Sequence, residues 1–255
     1  MRVRTDVISE LRAAGCVFAE DEADLLLSVA DGPGELAEMV ARRVAGLPLE
    51  HIVGFAEFCG RRIVVEPGVF VPRRRTELLV EQAARLLRPG AVVLDLCCGS
   101  GAAAAVLAGH DGVEVHAADI DPAAVRCARR NVEPLGGRVH EGDLYGALPA
   151  ELRGRVDVLV VNVPYVPTSE IALMPPEARL HEPAVALDGG ADGLDVARRV
   201  LAGSGDWLAP GAHLLLETSD EQAPTACALF TAAGLTPRLA RDDDRGAVVV
   251  LGTRP

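Results

Sequence analysis

A chain of 255 residues, 49% apolar and 24% charged with a mean hydropathy of +0.23, has globular composition, which excludes a disordered, collagen-like or rod-like protein. Its 37 acidic residues outnumber 25 basic ones, all of them arginine, for a net charge of −12. That balance argues against a protein that tracks phosphate backbones, which needs many cationic contacts. The apolar runs Ala102–Ala108 and Val158–Val161 fall far short of the roughly 18 residues of a membrane helix. Charged Arg2, Arg4, Asp6 and Glu10 stand where a signal peptide would be apolar. Six cysteines (Cys16, Cys59, Cys97, Cys98, Cys127 and Cys227) form no Cys-x-x-Cys pair, and six histidines show no ligand spacing. The expectation is a cytoplasmic protein that uses no metal and no membrane.

Residues 1–50 read as short helices making an N-terminal domain. One face carries Val7, Ile8, Leu11 and Ala14, a second Leu26, Leu27 and Val29, and a third Leu36, Met39 and Val40. Gly15, the run from Asp31 to Gly34, and Gly46-Leu47-Pro48 separate them. Residues 51–72 form a linker in which Phe55–Phe58 and Arg61–Val65 flank Cys59-Gly60 as a β-hairpin. The region 73–255 starts with a helix over Thr76–Leu87 and then alternates strand and helix. The pattern predicts strands at Ala91–Leu96, Val113–Asp119, Arg138–Glu141, Val156–Asn162 and Ala212–Thr218. It predicts helices at Ala102–Ala108, Pro122–Asn131, Leu194–Trp207 and Ala223–Ala233, with Asp121-Pro122 as cap and first helical residue. Near-continuous apolar strands such as Val156–Val161 imply burial on both faces, hence an α/β fold with a doubly wound, mostly parallel sheet. A last hairpin, Arg238–Asp242 with Ala247–Gly252, closes one edge.

Asp95-Leu96-Cys97-Cys98-Gly99-Ser100-Gly101 lies where a strand meets a helix. Gly99 and Gly101 let the backbone turn tightly and approach a ligand with no Cβ in the way, and the helix N-terminus offers free N–H groups. Asp119 ends the next strand, where a carboxylate accepts from ribose hydroxyls. A dinucleotide site wants a third glycine at position 104, where alanine stands. Asp95 ahead of the glycines fits an S-adenosylmethionine pocket instead, its acid facing the ligand's ammonium end. Ile120 and Leu144 are placed to sandwich an adenine, and Asp143 to accept from its amino group. The bland alternatives are a structural turn for the loop and core packing for these last three.

Asn162-Val163-Pro164-Tyr165 directly follows the fourth strand, at the carboxyl edge of the sheet beside that pocket. The chemistry it suggests is methylation of a planar nitrogen, whose lone pair is delocalised and weakly nucleophilic. The Asn162 side-chain oxygen and the Val163 carbonyl can accept both N–H hydrogens and hold the lone pair toward a sulfonium methyl. Pro164 stiffens the turn and Tyr165 packs against the flat group. Positioning of this kind is worth up to about 7–11 kcal/mol of barrier.

On these residues the chain resembles the protein-(glutamine-N5) methyltransferases of the HemK/PrmC type, over about residues 46–220. The stretch Phe70-Val71-Pro72-Arg73-Arg74-Arg75-Thr76-Glu77-Leu78-Leu79 is similar to the family's (I/V)PRPETE-L segment. The segments from Pro175 to Pro183 and from Ala186 to Leu194 match as well. The resemblance implies a seven-stranded class I methyltransferase sheet, a small N-terminal helical domain for protein recognition, S-adenosylmethionine as donor (S-adenosylhomocysteine as product), and a glutamine side chain gripped by Asn162 and the following carbonyl. Release factors and ribosomal proteins are the named candidates for the substrate. The sequence departs from the family at Val163, where the family has proline, at Cys97, where it has the first loop glycine, and in a shorter helical domain. These departures point to a related branch with its own substrate.

Arg73 is placed to contact a substrate backbone or the methionine carboxylate, whereas Arg74 and Arg75 read as surface. Arg179 and Glu182 form either a substrate lip or an intraloop ion pair. The Asp188–Gly193 run reads as a structural turn, Trp207 as core, and Asp242–Asp244 as an exposed acidic turn, while the role of Glu217 stays open. Two rival functions remain: a nucleic-acid amino-methyltransferase, disfavoured by the charge and the lack of an inserted recognition domain, and a non-catalytic binding module of the same fold.

Overall fold

The apolar faces at the start of the chain fold as helices α1 (Arg4–Ala13), α2 (Ala19–Val29), α3 (Pro33–Val44) and the one-turn α4 (Leu49–Val53) in a computed structural model of the protein, which describes residues 3–255. Their buried residues, Val7, Leu11, Leu26 and Val40 among them, make a core of their own. Ala14 lies just beyond the last turn of α1 and is exposed. Strands β1 (Phe55–Phe58) and β2 (Arg61–Val64) then pair antiparallel around Cys59-Gly60, both with positive φ.

The rest of the described chain is built on a seven-stranded sheet: β3 (Val92–Leu96), β4 (Glu114–Asp119), β5 (Arg138–Glu141), β6 (Val156–Val161), β7 (Leu208–Thr218), β8 (Thr236–Asp242) and β9 (Ala247–Thr253). Their order is β5-β4-β3-β6-β7-β9-β8, parallel except where β9 runs antiparallel to β7 and β8. The sheet therefore closes on a hairpin at one edge, and its apolar strands are covered on both faces. One face packs on α5 (Glu77–Ala84), α6 (Ala102–Leu107) and α7 (Pro122–Val132). The other packs on α9 (Asp195–Ser204) and α10 (Ala223–Ala232). Many boundaries shift by one to three residues from the sequence reading, and two of the differences bear on the packing. Strand β7 begins at Leu208, with a register shift against β6 between Val156 and Val158. The helix expected to run to Trp207 ends at Ser204, leaving Trp207 buried and stacked on Tyr145 at 5.6 Å.

Strand order reverses between β3 and β6, because the chain leaves β3 toward β4 and β5 and returns to β6 on the other side. Loops diverge at such a point and open a crevice at the carboxyl ends of the strands. Over that crevice runs the segment between β6 and α9, whose sequence predicts no helix or strand. It contains a 3-10 stretch at Thr168–Leu173 and the short helix α8 (Pro176–His181).

Candidate active site

After β3 the backbone turns through left-handed conformations at Cys97 (φ +58°), Gly99 (φ +54°) and Gly101 (φ +75°). Cys97 thus holds, at a cost of about 1–2 kcal/mol, a conformation that glycine takes freely. Asp119 fixes the loop: its Oδ2 accepts from the Gly99 N–H at 2.8 Å and its Oδ1 from that of Asp121 at 2.9 Å. From α7, Asn131 donates to the Ser100 carbonyl at 2.8 Å and bonds both backbone groups of Val64, tying the loop to β2.

Cys97, Gly99, Asp95, Asp119, Ile120 and Leu144 all line one cavity. Asp95 is 3% exposed, and its Oδ2 accepts from the Ala104 N–H at 3.0 Å. Burial pushes its carboxyl up to about 7, against the pull of the Ala104 bond, and neighbouring Asp119 adds to the rise. Burial also raises the Asp119 carboxyl. Asp143 lines the cavity with one oxygen already on Arg199, at 2.5 Å.

Gly101 corrects the sequence reading. It is absent from the cavity wall, and a Cβ there would lie 2.8 Å from Val132 Cγ2 and 3.0 Å from Ala128 Cβ. Its role is to let α6 approach α7. At Gly99, which lines the cavity, the nearest atom to a Cβ is 4.0 Å away.

Asn162, Val163, Pro164 and Tyr165 line the same cavity. The Asn162 Nδ2 donates to the Thr76 hydroxyl oxygen at 3.3 Å. Among the described residues Oδ1 has no partner. The Tyr165 hydroxyl donates to Glu217 Oε1 at 3.2 Å, and burial pushes the phenol well above its usual range. Arg75 donates from Nε to the same oxygen at 3.2 Å and lies over the Tyr165 ring. Arg75 is exposed, as the sequence suggested, and it also forms part of the cavity wall.

Arg73 also lines the cavity, with Nη2 at 2.7 Å from both oxygens of Glu182. Glu182 is buried, accepts from the Val71 N–H at 3.1 Å, and does not reach the cavity wall. It supports Arg73 and is no substrate ligand. Arg179, exposed on α8, is likewise outside the wall and makes no pair with Glu182. Thr76 and Arg75 are wall residues that sequence reasoning missed, and Glu217, whose role it left open, holds Tyr165 and Arg75. Asp188 and Asp192 accept from their own loop's N–H groups, as a structural turn requires.

The Methyltransferase small domain family matches residues 60–222. A release factor glutamine methyltransferase of Geobacter sulfurreducens is 40% identical over 87% of this chain and 79% of its own length. The chain belongs to the family of the release factor glutamine methyltransferases. A 4-amino-L-phenylalanine/4-methylamino-L-phenylalanine methyltransferase of Streptomyces pristinaespiralis is 39% identical over 88% of this chain and 78% of its own. The crystal structure of a Pyrococcus furiosus methyltransferase shares the fold, with a TM-score of 0.59 at 18% identity over 86% of this chain and 98% of that one.

Members of this family are S-adenosylmethionine-dependent, and the cavity fits that donor. At one end two carboxyls with raised affinity for protons, the buried Asp95 and the half-buried Asp119, have only backbone N–H partners among the described residues, an environment that a cationic group and hydroxyl donors satisfy. Beside them Ile120 and Leu144 offer apolar surface for a flat ring. No helix of the described residues is long and apolar enough to cross a membrane, and among them no cluster of side chains could hold a metal.

Proposed function

We propose that this chain transfers the methyl group of S-adenosylmethionine to the side-chain amide nitrogen of a glutamine in a protein, with Asn162 to Tyr165 as the acceptor site and Asp95, Cys97, Gly99, Asp119, Ile120, Asp143 and Leu144 around the donor. One observation carries the reading: the Thr76 hydroxyl takes the Nδ2 end of Asn162 and leaves Oδ1, an acceptor, facing no donor among the described residues. The donor supplies an electrophilic methyl on a sulfonium. Oδ1 accepts one N–H of the acceptor amide and the Val163 carbonyl the other, so both hydrogens lie away from the incoming carbon and the lone pair toward it. Tyr165, held by Glu217, walls the flat amide. Transfer needs no base beforehand, because the methylated nitrogen sheds its proton afterwards. Domain limits of 1–50, 51–72 and 73–255, a cytoplasmic location and a release factor or ribosomal protein as substrate belong to the same reading.

The relative from Streptomyces favours a second reading, an arylamine amino acid as acceptor, since an aniline nitrogen is also planar and weakly nucleophilic and position 163 carries valine. The test incubates the purified protein and labelled S-adenosylmethionine with a release factor, a ribosomal protein fraction, 4-amino-L-phenylalanine and nucleic acid. Label on a glutamine nitrogen of protein is the expected result. Label on the arylamine alone moves the assignment to the second reading, and label in nucleic acid alone overturns both.

A further inference from the structure

The cavity wall carries charges of both signs. Asp95, Asp119, Asp121 and Asp143 line it together with Arg199, Arg75 lines it over Tyr165, and Arg73 lines it over Phe70, which neighbours Gly99. The last two arginines are built in the same way. Arg73 lies 4.8 Å over the Phe70 ring and is held by Glu182, and Arg75 lies 5.5 Å over the Tyr165 ring and is held by Glu217. Both glutamate side chains are 1% exposed, whereas the arginines are 30% and 43% exposed. The negative ends are sealed in the protein and the positive ends reach the opening.

Arg75 is the sharper case. An arginine present only to neutralise Glu217 would set its fork on both carboxylate oxygens. Instead Nε alone reaches Oε1, at 3.2 Å, and Oε2 stays buried with no partner among the described residues. A buried acceptor left unpaired costs about 1–3 kcal/mol, so the arrangement forgoes its own best pairing. It leaves both terminal nitrogens of Arg75 without a partner among the described residues, on a guanidinium whose plane is fixed by the Nε bond and the ring. Such a fixed fork matches a carboxylate in two parallel hydrogen bonds. Its place is equally specific, because Arg75 directly precedes Thr76, the residue that touches Asn162.

The geometry points to Arg75, assisted by Arg73, as a recognition site for a carboxylate that the acceptor carries close to its methylated nitrogen. This rests on the acceptor site assigned above and narrows its substrate class. The carboxylate has two chemical sources, an acidic side chain flanking the glutamine of a peptide or the α-carboxylate of a free amino acid.

The test is calorimetric binding to the full chain saturated with S-adenosylhomocysteine, using two matched pairs of probes. One pair is a capped hexapeptide centred on glutamine, with or without an adjacent aspartate. The other is 4-amino-L-phenylalanine and its carboxamide. At least one acid should bind about tenfold or more tightly than its neutral match, the preference should vanish in Arg75→Gln, and Arg75→Lys, which keeps the charge and loses the fork, should retain only part of it. Thermal melts of both variants show whether the fold is kept, and Lys still pairs Glu217 if Gln does not. No preference in either pair, no binding of any probe, or a preference that survives in folded Arg75→Gln overturns the inference. Methyl transfer is followed separately. Transfer to the neutral peptide without any acid preference sinks the carboxylate site alone, whereas acid-selective binding with no label on any glutamine sinks the glutamine assignment alone.

Discussion

Cofactor affinity should depend on pH through Asp95. Its carboxyl is raised to about 7, chiefly because the ion is stripped of water. A ligand ammonium beside it favours the ion, so binding must first remove the proton from whatever fraction carries it. That ionised fraction is about one half at pH 7 and about one tenth at pH 6, and S-adenosylhomocysteine should therefore bind about fivefold more weakly at pH 6. The ligand's own amine is that of a free amino acid, whose neighbouring carboxylate keeps it protonated across this window. Calorimetry in two buffers of different ionisation heat counts the protons released, which should approach one per site at pH 6 and decline toward pH 8. Asp119, also raised by burial, contributes to any slope, so the contrast with Asp95→Asn isolates the residue. Stability runs the other way. A carboxyl raised on folding stabilises the folded chain fully only below the unfolded value near 3.9, and that contribution is lost as pH climbs through about 7. The apoprotein should accordingly melt lower at pH 8 than at pH 6, by a margin that Asp95→Asn removes. A flat affinity between pH 6 and 7, or the same slope in the variant, would show that Asp95 does not meet the ligand's cation.

Thr76→Val removes the oxygen that orients Asn162 at nearly constant volume. The loss of a bond worth about 1 kcal/mol should lower kcat/KM for methyl transfer about fivefold while S-adenosylhomocysteine affinity stays put, and Thr76→Ser should restore it. A parallel drop in cofactor affinity would show that the loop, and not the amide, was disturbed. The two loop glycines should separate cleanly in denaturant titration and calorimetry. Gly101→Ala drives a methyl into α7 and should cost about 2 kcal/mol of stability. Gly99→Ala has room in the protein and should cost about 1 kcal/mol, from its backbone conformation, yet lose the cofactor. Equal stabilities for the two would refute the division of labour.

What was legible in the sequence is what depends on neighbours along the chain. Asp95, the glycine turn and Asp119 sit at strand ends that hydrophobic runs reveal, and Asn162 follows a strand too apolar to be anything but central. Hidden were the roles set by packing between distant segments. Glu182 reads as a loop acid, and only the fold shows it sealed under Val71 and Arg73, more than 100 residues earlier. Gly101 carries the same signal as Gly99, because a positive φ explains both, and only the approach of Val132 and Ala128 separates them. Arg75 looks like one of three solvated arginines until the register carries β6 and β7 to their ends and sets Glu217 beside Asn162. Thr76 gave no signal apart from its place in the matched motif.

The segment that roofs the crevice is stapled to the first third of the chain at two places, through Glu182 to Arg73 and through Glu177 to Arg43, at 3.0 Å, on a helix whose arginine also grips Glu22. The roof thus touches the helical bundle through Glu177 and the entry to α5 through Glu182. Removing the first helices would take away the Arg43 contact and leave the ceiling on Arg73, Val71 and Gln222.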